Sequence, residues 1–174
     1  MTIIGNPNPK FTYGFQPSFR YKQFTINTSF NGVYGNQILN ANLRYEATPS
    51  RSSANIRQSA FDQRWTADNP SNLYPAASYI LPNMVMDRYV EDGSFLRWND
   101  LTIAYTLPSS GFLKKSGLNN VSVFVSGKNL ALFTKYSGND PEVSSFAFDG
   151  LRPGIDYFSY PNARSYTIGI NVGF

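Results

Sequence analysis

The residues in this chain best suited to chemistry are a few carboxylates and aromatics. Asp140 and Glu142 flank Pro141 and have the residue types of an acid/base pair for glycosidic hydrolysis. Asp87, Glu91 and Asp92 could hold a divalent cation or accept hydrogen bonds from substrate hydroxyls, but they lack the regular oxygen-ligand spacing of a calcium loop. Trp65, Tyr74 and Tyr79 could stack on sugar rings. Each group also has a plainer explanation: two carboxylates beside a proline are common in turns, acidic residues solvate loops, and aromatics pack them. The chain has no His and no Cys, which removes His-based triads, cysteine nucleophiles, zinc fingers, iron–sulfur clusters and disulfides. No catalytic, cofactor-binding or metal-ligating residue is therefore assigned, and the expectation is a protein that is not an enzyme. Trp65, Tyr74 and Tyr79 are kept as candidate substrate-binding residues.

The composition says what kind of scaffold would carry such residues. Aromatics make up 16% of 174 residues and charged residues only 15%, a balance that suits a β-sandwich or a barrel facing lipid. The net charge of +4 is spread thinly, and Lys114-Lys115 is the one adjacent basic pair, so no basic stripe for nucleic acid exists. No apolar run approaches the ~18 residues that a transmembrane helix needs. Met1 to Lys10 is polar and does not read as a signal peptide, which leads us to expect a piece of a longer protein.

Period-2 alternation is the dominant pattern. Phe11, Tyr13, Phe15, Phe19 and Tyr21 share one parity, and Phe24, Ile26, Thr28 and Phe30 follow after a tight connection at Tyr21-Lys22. Leu101, Ile103, Tyr105 and Leu107 alternate with Asp100, Thr102, Ala104 and Thr106. Val121, Val123 and Val125 form a fourth run, less clean because Phe124 sits among the polar positions. In the last run Tyr166, Ile168, Ile170, Val172 and Phe174 alternate with Ser165, Thr167, Gly169, Asn171 and Gly173. These runs predict five strands over about 11–21, 23–34, 95–107, 120–132 and 164–174. Their length matches the ~9–11 residues that cross a bilayer at a tilt. Their second faces carry small neutral polar residues rather than the charges of a water-facing sheet.

The connections run tight, very long, short and long, as they do where periplasmic turns alternate with extracellular loops. Two long extracellular loops are expected, over about 35–94 and 133–163. In the first, Ser53 could cap a helix running to about Trp65, with Phe61 and Trp65 on one face. Tyr21, Tyr89, Phe95, Trp98, Phe133, Tyr136 and Tyr166 stand near strand ends, where aromatic girdles meet the membrane interface; the alternative is packing among the loops, which suits Tyr89 and Tyr136 equally well.

Several ordered blocks resemble one family. They are Ile4-Gly5-Asn6-Pro7-Asn8-Pro9-Lys10-Phe11, Val90-Glu91-Asp92-Gly93-Ser94-Phe95-Leu96-Arg97, and Leu101 through Pro108. Val125-Ser126-Gly127-Lys128-Asn129-Leu130, Lys135 through Glu142, and Tyr160-Pro161-Asn162-Ala163-Arg164 follow in order. Together they resemble the C-terminal part of SusC/RagA-type TonB-dependent outer-membrane transporters. The resemblance implies the last five strands of a plugged barrel of about 22. It further implies a SusD-like surface lipoprotein, TonB coupling through an absent N-terminal part, and import of glycans or peptides. Thr167, Gly169, Val172 and Phe174 have the spacing of a signal for the barrel-assembly machinery.

The expectation is therefore an all-β, antiparallel transmembrane barrel segment in the bacterial outer membrane. Its partners would be lipid, the remaining barrel and plug, the lipoprotein, TonB and the assembly machinery, with no nucleic acid. The alternative is a secreted carbohydrate-binding β-sandwich, which would need shorter strands with charged faces.

Overall fold

A computed structural model describes residues 2–47, 55–77, 85–108, 115, 117–118, 120–142, 144–146 and 149–174. The strands among the described residues are, in chain order, β1 (Phe11–Phe15), β2 (Ser18–Tyr21), β3 (Phe24–Tyr34), β4 (Gln37–Asn40), β5 (Val90–Asp92), β6 (Phe95–Thr106), β7 (Asn120–Thr134), β8 (Ile155–Asp156) and β9 (Ser165–Gly173). Among the described residues, two short α-helices, α1 (Ala41–Glu46) and α2 (Gln58–Asp62), lie between β4 and β5. The chain divides into a strand unit and a loop unit.

The strand unit comprises Lys10–Tyr34, Ser94–Lys135 and Asn162–Phe174. It is one antiparallel sheet in the order β1-β3-β6-β7-β9, with β2 also paired to β3. The first predicted strand appears as two, β1 and β2, because Pro17 has no N–H to give the ladder. Its carbonyl still accepts from the Thr28 N–H at 3.1 Å, and the register of β1 against β3 continues unchanged into β2.

Pairing sorts the side chains into rows. Ile26, Ile103, Val125 and Ile168 form one row across four strands, and Phe24, Tyr105, Val123 and Ile170 form the next. Both rows lie on one face. The opposite face carries Asn27, Thr102, Ser126 and Thr167, then Ser29, Asp100, Lys128 and Ser165.

A bulge interrupts this order. Asp100 pairs with Ser29 and Trp98 with Phe30, which leaves Asn99 as the extra residue on β6. On β7 two residues, Asn129 and Leu130, oppose it. The single extra residue reverses the parity of β6, so Leu96 and Trp98 share a face with Leu101 and Ile103. Phe95 therefore lies on the polar face and is buried, which corrects its expected place in an outer aromatic girdle. At the bulge the Trp98 indole N–H donates to the Thr28 hydroxyl at 2.6 Å, and that hydroxyl donates to the Asp100 carbonyl at 2.7 Å. Phe15, Phe30 and Trp98 stack across three strands at centroid spacings of 4.5 and 5.6 Å.

The loop unit comprises Met1–Pro9, Gly35–Gly93 and Tyr136–Pro161. Its sheet has the order β5-β4-β8, with β5 antiparallel and β8 parallel to β4. The expected helix from Ser53 to Trp65 is confined to α2 among the described residues; Ser53 lies outside them. Trp65 instead lies in an extended segment, where its N–H donates to the Tyr74 carbonyl at 3.0 Å. Tyr89 and Tyr136, for which the sequence allows girdle and loop packing equally, are buried in this unit.

Candidate functional site

The loop unit buries polar side chains among apolar ones: Asn40, Asp140 and Asp156 lie with Ile38, Ala47, Ala60, Tyr89 and Tyr136 below a tenth exposed. Asn40 and Asp156 sit at the end of the β4–β8 pairing and are 0% and 1% exposed, beside buried Ile38 and Tyr136. The Tyr136 hydroxyl donates to Asp156 Oδ2 at 2.7 Å. Burial pushes the Tyr136 phenol well above its ordinary range, and the hydrogen bond and negative charge of Asp156 and the charge of Glu91 add to this. The Glu91 carboxylate, on β5, accepts from the Ser137 N–H at 2.7 Å, the Ser137 hydroxyl at 2.7 Å and Asn40 Nδ2 at 2.9 Å. Glu91 thus ties Tyr136-Ser137 to the small sheet. Asp140 is almost wholly buried and accepts from the Glu142 N–H at 2.9 Å, a turn-forming contact.

Two concavities flank Tyr89. One, of about 230 Å³, is lined by Leu43, Ala47, Gln63, Leu73, Tyr74, Arg88 and Tyr89. The other, of about 210 Å³, is lined mainly by apolar groups, including Leu39, Tyr45, Val85, Phe146, Ile155 and Tyr157. At the second, Tyr45, Tyr157 and Phe158 form a cluster with centroid spacings of 5.1 to 5.8 Å. Phe158 is 61% exposed. It is held at φ 53°, a strained conformation for an aromatic residue, and its N–H donates to the Asn42 side chain at 2.6 Å.

In the strand unit, the Ile26 and Phe24 rows belong to one open apolar face. Tyr166, Ile168 and Ile170 of β9 are 72%, 77% and 65% exposed. Exposing such side chains to water forfeits about 1.5–3 kcal/mol each, so this face requires an apolar surrounding. β9 and the β1/β2 strand are the two edges of the sheet, each paired on one side. An antiparallel sheet with apolar side chains out, small polar side chains on the other face and both edges free is the geometry of a barrel wall.

No protein-family model matches the chain. Proteins of known kind do. TonB-dependent receptor P3 of Formosa agariphila is 39% identical over 176 residues, a match that covers 99% of this chain and 17% of that receptor. TonB-dependent receptor SusC of Bacteroides thetaiotaomicron is 24% identical over 174 residues, covering 99% of this chain and 16% of SusC. Among solved structures, the RagAB peptide transporter superposes with a TM-score of 0.84 at 25% identity, over 99% of this chain and 18% of that one. Over almost its whole length the chain matches part of the SusC/RagA-type TonB-dependent receptors.

It is a stretch of outer-membrane β-barrel, and it spans 16 to 18% of the length of the curated relatives it matches. The likeness to the RagAB transporter decides for the barrel over the sandwich, and the apolar face is then the lipid side. Trp98, Phe133, Tyr166 and Tyr21 lie on this side, as a girdle requires.

Trp65 and Tyr74 come together through their backbones; Tyr74 lines the larger concavity and its hydroxyl lies 3.3 Å from the Ser59 hydroxyl. Tyr79 lies outside the described residues. Tyr45, Tyr157 and Phe158 escaped the sequence reading, because the two segments are more than a hundred residues apart and neither alternates. The one local hint was the adjacent aromatic pair Tyr157-Phe158.

Proposed function

We propose that the chain forms wall and extracellular loops of a TonB-dependent importer that takes up glycans or peptides. The observation that carries this reading is the open apolar face of a sheet whose two edges are free to pair. Residues 35–94 and 133–163 are the extracellular loops on this reading, and Trp65, Tyr74 and Tyr79 contact substrate. A SusD-like lipoprotein at the surface, the plug and remaining strands, and TonB at the periplasmic side complete the machine. Thr167, Gly169, Val172 and Phe174 present the closing strand to the assembly machinery.

Impermeant thiol labelling of the full-length receptor in intact cells tests the orientation. Leu151→Cys, at a position 93% exposed in the loop unit, is expected to label at once. Lys115→Cys, at an exposed position in the short β6–β7 connection, is expected to label only after the outer membrane is breached. The opposite pattern overturns the reading. Substrate class follows from growth of a receptor-deleted strain on oligopeptides and on polysaccharides as sole nutrient. Trp65→Ala with Tyr74→Ala should weaken growth on the same nutrient, whereas unchanged growth removes these two residues from the binding site.

A further inference from the structure

The glycines of the last strand pair suggest a role for two aromatics. Phe124 of β7 is the direct partner of Gly169 of β9, and Gly127 of β7 is the direct partner of Tyr166 of β9. The two pairs lie on opposite faces of the sheet. A Cβ at Gly169 would collide with the tip of the Phe124 ring, so the ring occupies the space above the glycine. A Cβ at Gly127 would stand 3.3 Å from the Tyr166 ring and 2.6 Å from Leu130 Cδ2. Each strand thus gives one ring and receives one.

We propose that these reciprocal aromatic-over-glycine pairs set the register of the closing strand, and that Gly169 serves assembly as the seat for Phe124. A slip of two residues keeps every side chain on its own face, so hydrophobic sorting alone does not forbid it. It would, however, move Phe124 over Thr167 or Asn171, and Tyr166 over Val125 or the bulged Asn129. Both rings would lose their seats at once. Phe124, which blurred the alternation of its strand, then has a reason to occupy the polar face. The proposal rests on the barrel-wall reading and adds a residue-level origin for the register.

Two sets of variants of the full-length receptor in outer membranes test it. Strand propensity alone favours Gly169→Val, since Val is a strong β-former. The proposal predicts the reverse: folded, heat-modifiable receptor should fall about tenfold, as expected for overpacking. Phe124→Ala combined with Gly169→Val should recover most of the loss, because the valine fills the space that the ring leaves. If instead the assembly machinery reads Gly169 directly, the double variant stays as poor as the single one, and the proposal fails. It also fails if Gly169→Val folds normally.

Register is read from cysteine pairs, against a chain with no cysteine of its own. Ser126→Cys with Thr167→Cys should bridge in the native register. Adding Phe124→Ala and Tyr166→Ala should yield a new bridge between Ser126→Cys and Ser165→Cys. If no slipped bridge forms, the lock is overturned. If no native bridge forms in the otherwise unaltered receptor, the wall reading falls with it.

Discussion

The strand unit and the loop unit solve opposite problems with the same residue types. In the strand unit Ile168, Ile170 and Tyr166 are open to the surroundings, and the small polar residues line the opposite face. In the loop unit Asn40, Asp140 and Asp156 are buried, and the polar groups face one another. The difference shows that burial follows the solvent and not the residue. A barrel wall sheds its apolar groups into lipid. The loop unit instead buries hydrogen-bonded polar groups beside Ile38, Ala60 and Tyr89. The first arrangement tolerates polar change on one face only, and the second tolerates little change at its centre.

The sharpest way to break the contrast is to put charge on the apolar face. Ile168→Arg should destabilise the folded receptor by about 2–4 kcal/mol in lipid vesicles, measured by denaturant titration. Ser126→Arg, on the other face of the neighbouring strand, should cost much less. Equal costs would mean that the two faces see the same medium.

In the loop unit the corresponding lesion is Tyr136→Phe, which leaves Asp156 without its phenol partner. A loss of about 1–3 kcal/mol is expected, the cost of orphaning a buried acceptor. It should appear as faster amide exchange in β4 and β8 with no change in barrel insertion. Slow exchange in the variant would show that the Tyr136–Asp156 contact contributes nothing.

A third prediction uses pH. The folded pKa of Tyr136 is raised above its ordinary value of 10.0, so the folded state holds the proton more tightly than the unfolded one. Stability from this group is complete below pH 10.0 and declines as the pH rises further. Amide exchange in β4 and β8 should therefore quicken above that pH in the wild type. Tyr136→Phe should abolish this part of the dependence; an identical pH profile would contradict it.

The smallest expected effect comes from the loop unit's surface. Arg152 and Asp149 pair at 3.2 Å with Arg152 largely exposed, so Arg152→Ala should cost under about 1 kcal/mol. A larger loss would mean that the surface and the centre of this unit are not distinct.

The strand unit was largely legible in the sequence because period-2 alternation runs through four of its strands. Two details were hidden. Pro17 split the first strand in a way that parity cannot show, since the register on either side is unbroken. Asn99 reversed the parity of β6, so Phe95 fell on the face opposite to the one expected. The loop unit was hardly legible. β8 is two residues long and pairs with β4 more than a hundred residues away, and no local pattern marks such a partnership. Glu91 looked like a candidate ligand because its contacts, Asn40 and Ser137, come from distant parts of the chain.

The bulge at Asn99 acts like a frameshift in the way the membrane reads this strand. Residues before it are read in one frame and residues after it in the other. Deleting that one residue would turn Phe95 and Arg97 toward lipid and Leu96 and Trp98 toward the polar side. Alignments that place a gap there would thus exchange the lipid-facing and polar positions over residues 95–98 without any visible loss of similarity.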